Sequence, residues 1–272
     1  MNRSCYLQVA VSLGVITALN VLAFSPRVAR AQHFVYNSAG FERQPFVAGV
    51  PLLGLDGWSP AIPPFLNPAA AVVTNASSSN GRQSIEVRGS NLSSSGGITA
   101  PYDAVGSYRL PLSFQPSRQK PIVLIEADLL LQTQVAPTTG SAFTEDFFSA
   151  TLAARSAAGA TLAEFGLSSS GHALGYGYNQ LPGALPIVKE ATALNSWHRL
   201  GIALDYSGAS TAVAYLLNGK PIGMFQTPDD SGILLRTAMV TYALPDDVGR
   251  TRDSYTARFD NFRISVHGST SP

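Results

Sequence analysis

The sequence predicts an all-β fold, a sandwich or barrel of antiparallel strands. Short runs of Val, Ile, Leu, Thr, Phe and Tyr alternate with breaks rich in Gly, Pro, Ser and Asn, the spacing of many short strands. No long amphipathic helical pattern occurs, and the nearest, Ala150–Ala163, is too rich in Ser, Thr and Gly to be one. Asn218-Gly219 stands between two apolar runs, a strong hairpin signal because both central residues take positive φ.

The elements follow in order. Residues 59–68 hold four prolines, which lack the ladder donor and exclude a regular central strand. Residues 77–81 and 90–97 are polar Gly/Ser loops. Ser84–Arg88 alternates Ile85 and Val87 with polar residues. Pro121–Gln134 is the longest predicted strand. Val123, Ile125, Ala127, Leu129 and Leu131 share one face, and Ile122, Leu124, Glu126, Asp128 and Leu130 the other. Phe147–Ala154 and Thr161–Leu167 come next. Trp197–Tyr206 sets His198, Leu200, Ile202 and Leu204 on one side. Thr211–Leu217, Lys220–Phe225, Ile233–Ala243 and Tyr255–Val266 complete the set.

Residues 1–31 have the layout of a secretory signal. Arg3 precedes an apolar run from Cys5 to Phe24, Pro26 breaks it, and Ala29-Arg30-Ala31 forms a small-residue cleavage site. An uncleaved anchor is the rival, since about 20 apolar residues span a bilayer. The expectation is one domain over residues 32–272, secreted or held in the periplasm or cell envelope, with no membrane span after cleavage. Removing residues 1–31 lowers Lys plus Arg from 18 to 15 against 17 Asp plus Glu, a net charge of −2. With no basic field, nucleic acid is excluded as a partner. The one cysteine, Cys5, lies in the leader, so the mature part holds together by burial and not by disulfides.

Several phrases, in order along the chain, resemble the concanavalin A-like lectin/glucanase superfamily, especially its secreted laminin-G-like members. They are Gly40-Phe41-Glu42 with Gly54-Leu55-Asp56-Gly57-Trp58, Gly81-Arg82-Gln83-Ser84-Ile85, Trp197-His198-Arg199-Leu200 with Leu204-Asp205, Tyr215-Leu216-Leu217-Asn218-Gly219-Lys220, and Phe259-Asp260-Asn261-Phe262. The resemblance implies a two-sheet antiparallel jelly-roll β-sandwich whose first and last strands are neighbours. It implies Trp58 and Trp197 as core anchors, against the alternative that one stacks on a sugar. Related carbohydrate-binding sandwiches tie a Glu near the first strand to an Asp near the last through Ca²⁺. Glu42 and Asp260 match those positions, and the rival is a Glu42 paired with Arg263 or with backbone.

Catalytic motifs are incomplete. Glycoside hydrolases of the superfamily carry Glu-x-Asp with a second Glu four or five residues after the first. Glu126-Ala127-Asp128 supplies the first half, but Leu130 and Leu131 occupy the later positions. Glu126 and Asp128 are then a polar strand patch or, secondarily, part of a ligand face. No Gly-x-Ser-x-Gly elbow and no His-Glu-x-x-His spacing occurs, and Ser168-Ser169-Ser170-Gly171-His172 is a turn. For sugar binding, Tyr176 and Tyr178 between glycines, with Asn179 and Gln180 to read hydroxyls, are the best candidates; their rival role is to cover the core. The resulting expectation is a non-catalytic secreted module that binds carbohydrate or a cell-surface partner. Its rivals are an adhesive envelope protein without a sugar site and a glycan-cleaving enzyme with a non-standard site.

Overall fold

The computed structural model describes residues 32–59, 71–88, 103–109, 114, 116–117, 119–133, 148–156, 159–179, 185–227, 235–242 and 255–268. The leader expected over residues 1–31, most of the proline-rich 59–68 stretch, the 90–97 loop and Gln180 lie outside them. Among the described residues no helix is long and apolar enough to cross a membrane.

Among the described residues fifteen strands form, in chain order: β1 (His33–Asn37), β2 (Trp58–Ser59), β3 (Ala71–Thr74), β4 (Ser84–Arg88), β5 (Asp103–Arg109), β6 (Ile122–Thr133), β7 (Phe148–Ser156), β8 (Thr161–Ser168), β9 (His172–Tyr176), β10 (Val188–Ala191), β11 (Trp197–Asp205), β12 (Ala212–Leu217), β13 (Lys220–Gln226), β14 (Leu235–Tyr242) and β15 (Tyr255–His267). They make two antiparallel sheets. Sheet A runs β13-β12-β11-β6-β15-β4-β3, with β1 also on β15, and sheet B runs β10-β9-β8-β7-β14-β5-β2. The chain crosses between sheets repeatedly, with β5 in B, β6 in A, β7–β10 in B, β11–β13 in A, β14 in B and β15 in A. The fold is a jelly-roll β-sandwich, and the first and last strands pair as the resemblance implies.

Period-two alternation builds the interior. Val123, Ile125, Ala127, Leu129 and Leu131 of β6 and Leu200, Ile202 and Leu204 of β11 are buried in one cluster with Leu152, Phe165 and Ala173 of sheet B. The Asn218-Gly219 hairpin forms with φ of 51° and 77°. A bulge in β15 between Asp260 and Arg263 resets the alternation, so Phe259 and Phe262 are both buried although they are three residues apart. Their rings pack on Trp58 at 5.8 and 4.9 Å. Trp58 Nε1 donates to Tyr36 Oη at 2.9 Å, and Tyr36 Oη donates to Asp56 at 3.1 Å.

Trp58 is the core anchor expected of it, but Trp197 is not. Leu200, Ile202 and Leu204 point inward, so Trp197 falls on the opposite face of β11 and stays half-buried there, opposite Leu130.

Candidate functional site

Glu126 and Asp128 lie on the outer face of sheet A, where each is tied to an arginine. Arg263 donates to Glu126 at 2.7 Å, and Arg199 donates to Asp128 at 2.8 Å. In the same face Arg258 donates to Glu86 at 2.6 Å and also to Gln132. The three carboxylates are nearly buried beneath the arginine stems. Burial pushes the Asp128 carboxyl up, but Arg199, Ser79 and Asn261 outweigh it and hold it below its ordinary value. Each of these carboxylates is held by an arginine and none stands free. The expected solvent-facing polar patch is instead a ladder of ion pairs across β4, β15, β6 and β11.

Glu42 and Asp260 converge on the loop of residues 77–83. Glu42 Oε1 accepts the backbone N–H of Arg82 and of Gln83, the latter at 2.6 Å, which is the backbone pairing set against calcium; the alternative pairing with Arg263 does not form. Asp260 accepts from the Ser79 N–H at 3.0 Å and from the Asn261 N–H at 2.7 Å. It is fully buried, and burial pushes its carboxyl up to about 6 against the hydrogen bonds from Asn261, Asn80 and Ser79. Ala39, Gly40 and Phe41 all hold positive φ (52°, 69° and 56°), a conformation unfavourable for Ala and Phe. That turn brings Gly40 against the cluster. A Cβ there would stand 3.4 Å from Asn261 Oδ1 and 3.6 Å from the Asn80 carbonyl oxygen. Ser38 Oγ is buried with no partner. Two carboxylates, an amide oxygen and a main-chain carbonyl are the donor chemistry a hard cation takes, so the residues fit the calcium that the resemblance implies.

The tyrosine platform does not form. Tyr176 is 2% exposed and clusters with Leu174, and Tyr178 packs against the main core. Asn179 spends its side chain on the turn, where Oδ1 accepts the Thr161 N–H at 3.1 Å. The rings therefore cover apolar surface instead of facing solvent, because the flanking glycines let the strand close down. Gly175 is one example: a Cβ there would come within 2.8 Å of the Tyr215 ring. The 168–172 segment turns as expected, with Ser168 Oγ 2.8 Å from Ser170 Oγ, itself 3.1 Å from His172 Nδ1. Among the described residues no carboxylate completes a triad there.

Sequence reasoning missed the charged pair on the outer face of sheet B. Ala163, Phe165 and Leu167 of β8 point into the core, so Glu164 faces out, level with Ala153 on β7 and Tyr176 on β9. Arg155 lies two residues along β7 from Ala153, on the same face. Thr151, Ala153, Leu174 and Tyr176 are buried around them, while Glu164 and Arg155 stay half-buried. Burial pushes the Glu164 carboxyl above its ordinary range, and Arg155 draws it back only in part. No carboxylate among the described residues lies within 4.0 Å of Arg155, and its Nε is buried without a partner. The overlooked signal was a lone charge in each of two apolar strands, Glu164 in the middle of β8 and Arg155 near the end of β7.

Neither a protein-family model nor a curated protein matches the chain. Solved structures do resemble it. A sialidase is similar at 10% identity over 79% of this chain, with a TM-score of 0.43, and this chain spans only 17% of that one. An endo-β-1,4-glucuronan lyase from the fungus Trichoderma reesei matches at 11% identity over 74% of this chain and 87% of its own, with a TM-score of 0.46. An endo-1,3-β-glucanase from Streptomyces sioyaensis matches at 12% identity over 73% and 76%, with a TM-score of 0.43. None of the three is named as a lectin or a laminin-G-like domain. All three bear the names of glycan-cleaving enzymes, which turns the expectation of a non-catalytic recognition module toward its glycan-cleaving rival. Such low identities and scores leave residue roles to be read from this chain alone.

Proposed function

We propose that the protein is a glycan-cleaving enzyme whose site is the outer face of sheet B, with Glu164 as its acid. One observation carries the reading: a half-buried carboxyl in an apolar patch, pushed above its ordinary range by burial, beside an arginine with which it makes no ion pair within 4.0 Å. A carboxyl whose proton is held more tightly than usual is suited to give it to a departing glycosidic oxygen. Glu126 and Asp128, fully paired, have no part in it. Among the described residues no second carboxylate faces Glu164 from the neighbouring strands β7 and β9. The paired-carboxylate geometry of common glycosidases is thus not the model for this site. The leader supports export, where polysaccharides are met.

The test is release of reducing ends from a panel of polysaccharides by the wild type and by Glu164→Gln. The variant should lose activity by at least about 100-fold while keeping its melting temperature. Retained activity removes Glu164 from the role.

We also propose that Glu42, Asp260, Asn261 and the Asn80 carbonyl hold Ca²⁺ as a structural tie between the first turn and the β15 bulge. A bound divalent cation would neutralise the buried Asp260 and stabilise the left-handed turn. Chelation should lower the melting temperature and added Ca²⁺ restore it, an effect blunted in Glu42→Gln. A melting temperature indifferent to both removes the metal.

A further inference from the structure

On the reading that sheet B carries the glycan site, we propose that Arg155 selects a carboxylate-bearing sugar, so that the substrate is a uronate-containing glycan. The geometry is that of a cation awaiting its counter-ion. Arg155 projects from β7 on the face that carries Glu164, in a patch where Thr151, Ala153, Leu174 and Tyr176 are buried. Its Nε is buried and has no hydrogen-bond acceptor. The other arginines described within strands of this fold with an acid in reach use it: Arg199, Arg258 and Arg263 each hold a carboxylate at 2.6–2.8 Å. Arg155 has Glu164 for its acidic neighbour, but the two form no ion pair within 4.0 Å.

An orphaned guanidinium N–H in a half-buried site is costly unless a ligand satisfies it. The guanidinium fork matches a planar carboxylate in two parallel hydrogen bonds, which a neutral hydroxyl cannot reproduce. A uronate carboxylate therefore completes the site twice over, supplying the acceptor Nε lacks and the negative charge Arg155 lacks. A neutral glucan would leave both deficits in place. Sulfate offers the same charge on a tetrahedral group, and the test separates the two anions.

The experiment is calorimetric titration of the full-length mature protein with uronate oligosaccharides (galacturonate, glucuronate and mannuronate), their methyl esters, sulfated oligosaccharides and neutral glucan oligosaccharides. At least one uronate should bind, and its methyl ester should bind at least about tenfold more weakly. Arg155→Gln should erase that difference, and Arg155→Lys should restore part of it. Equal binding of acid and ester, or tighter binding of the sulfated or neutral series, overturns the inference. Cleavage of a neutral glycan that still depends on Glu164 would overturn it while leaving the proposed enzyme intact. Absence of any binding together with Glu164-independent behaviour would remove both. If Arg155→Gln lowers the melting temperature, the acid-to-ester ratio of the wild type decides the matter alone.

Discussion

Glu164 sits in the middle of a strand whose next-door residues, Ala163 and Phe165, are wholly buried. An acidic side chain there pays in desolvation, which is why its carboxyl holds its proton above the ordinary range. The consequence for stability has a definite sign. In the unfolded chain the group ionises near 4.5, and in the fold it ionises higher. Its contribution is therefore complete below 4.5 and is lost as pH rises through the folded value. Melting temperatures measured across pH should show this slope, and Glu164→Gln should flatten it. Catalysis follows the same proton, so the pH–rate profile should fall on its alkaline side as Glu164 ionises. At the neighbouring Gly175, a Cβ would press on the Tyr215 ring, whose hydroxyl donates to the Tyr176 carbonyl. Gly175→Ala should cost about 1–3 kcal/mol in chemical denaturation.

Elements explain why one outward face is inert and the other is a candidate site. On sheet A the carboxylates and arginines interleave across β4, β15, β6 and β11, and each charge is met. Such pairs matter most when broken. Arg258→Met removes the guanidinium paired with the buried Glu86 and should destabilise by about 3–5 kcal/mol. The double change with Glu86→Leu should recover most of that loss in the same denaturation assay. On sheet B the register of β7 against β8 slips between Ala154 and Arg155. That irregularity falls beside Arg155, which pairs with Thr161 and not with Leu162. Nothing in the residue pattern announces such a slip, so the pair was hidden from the sequence even though both strands were visible in it. Trp197 was hidden for a different reason. The alternation of Leu200, Ile202 and Leu204 already put it on the outer face, but family position was allowed to outweigh parity.

The whole molecule shows how far composition and patterning reach. The long β6 strand and the Asn-Gly hairpin were legible, because each follows from local alternation or turn chemistry, whereas the pairing of first with last strand came from the resemblance. β1, β3, β9 and β10, of four or five residues each, were not, since so short a run is fixed by its partners and not by its own residues. Tyr176 illustrates the same limit at a site: glycines on either side suggest an exposed ring, yet tertiary packing buries it. The function is most directly tested by giving one oligosaccharide to both wild type and Glu164→Gln and measuring binding and single-turnover cleavage separately. The predicted result is binding within about threefold and cleavage lost by at least about 100-fold. Cleavage at an undiminished rate in the variant would contradict it.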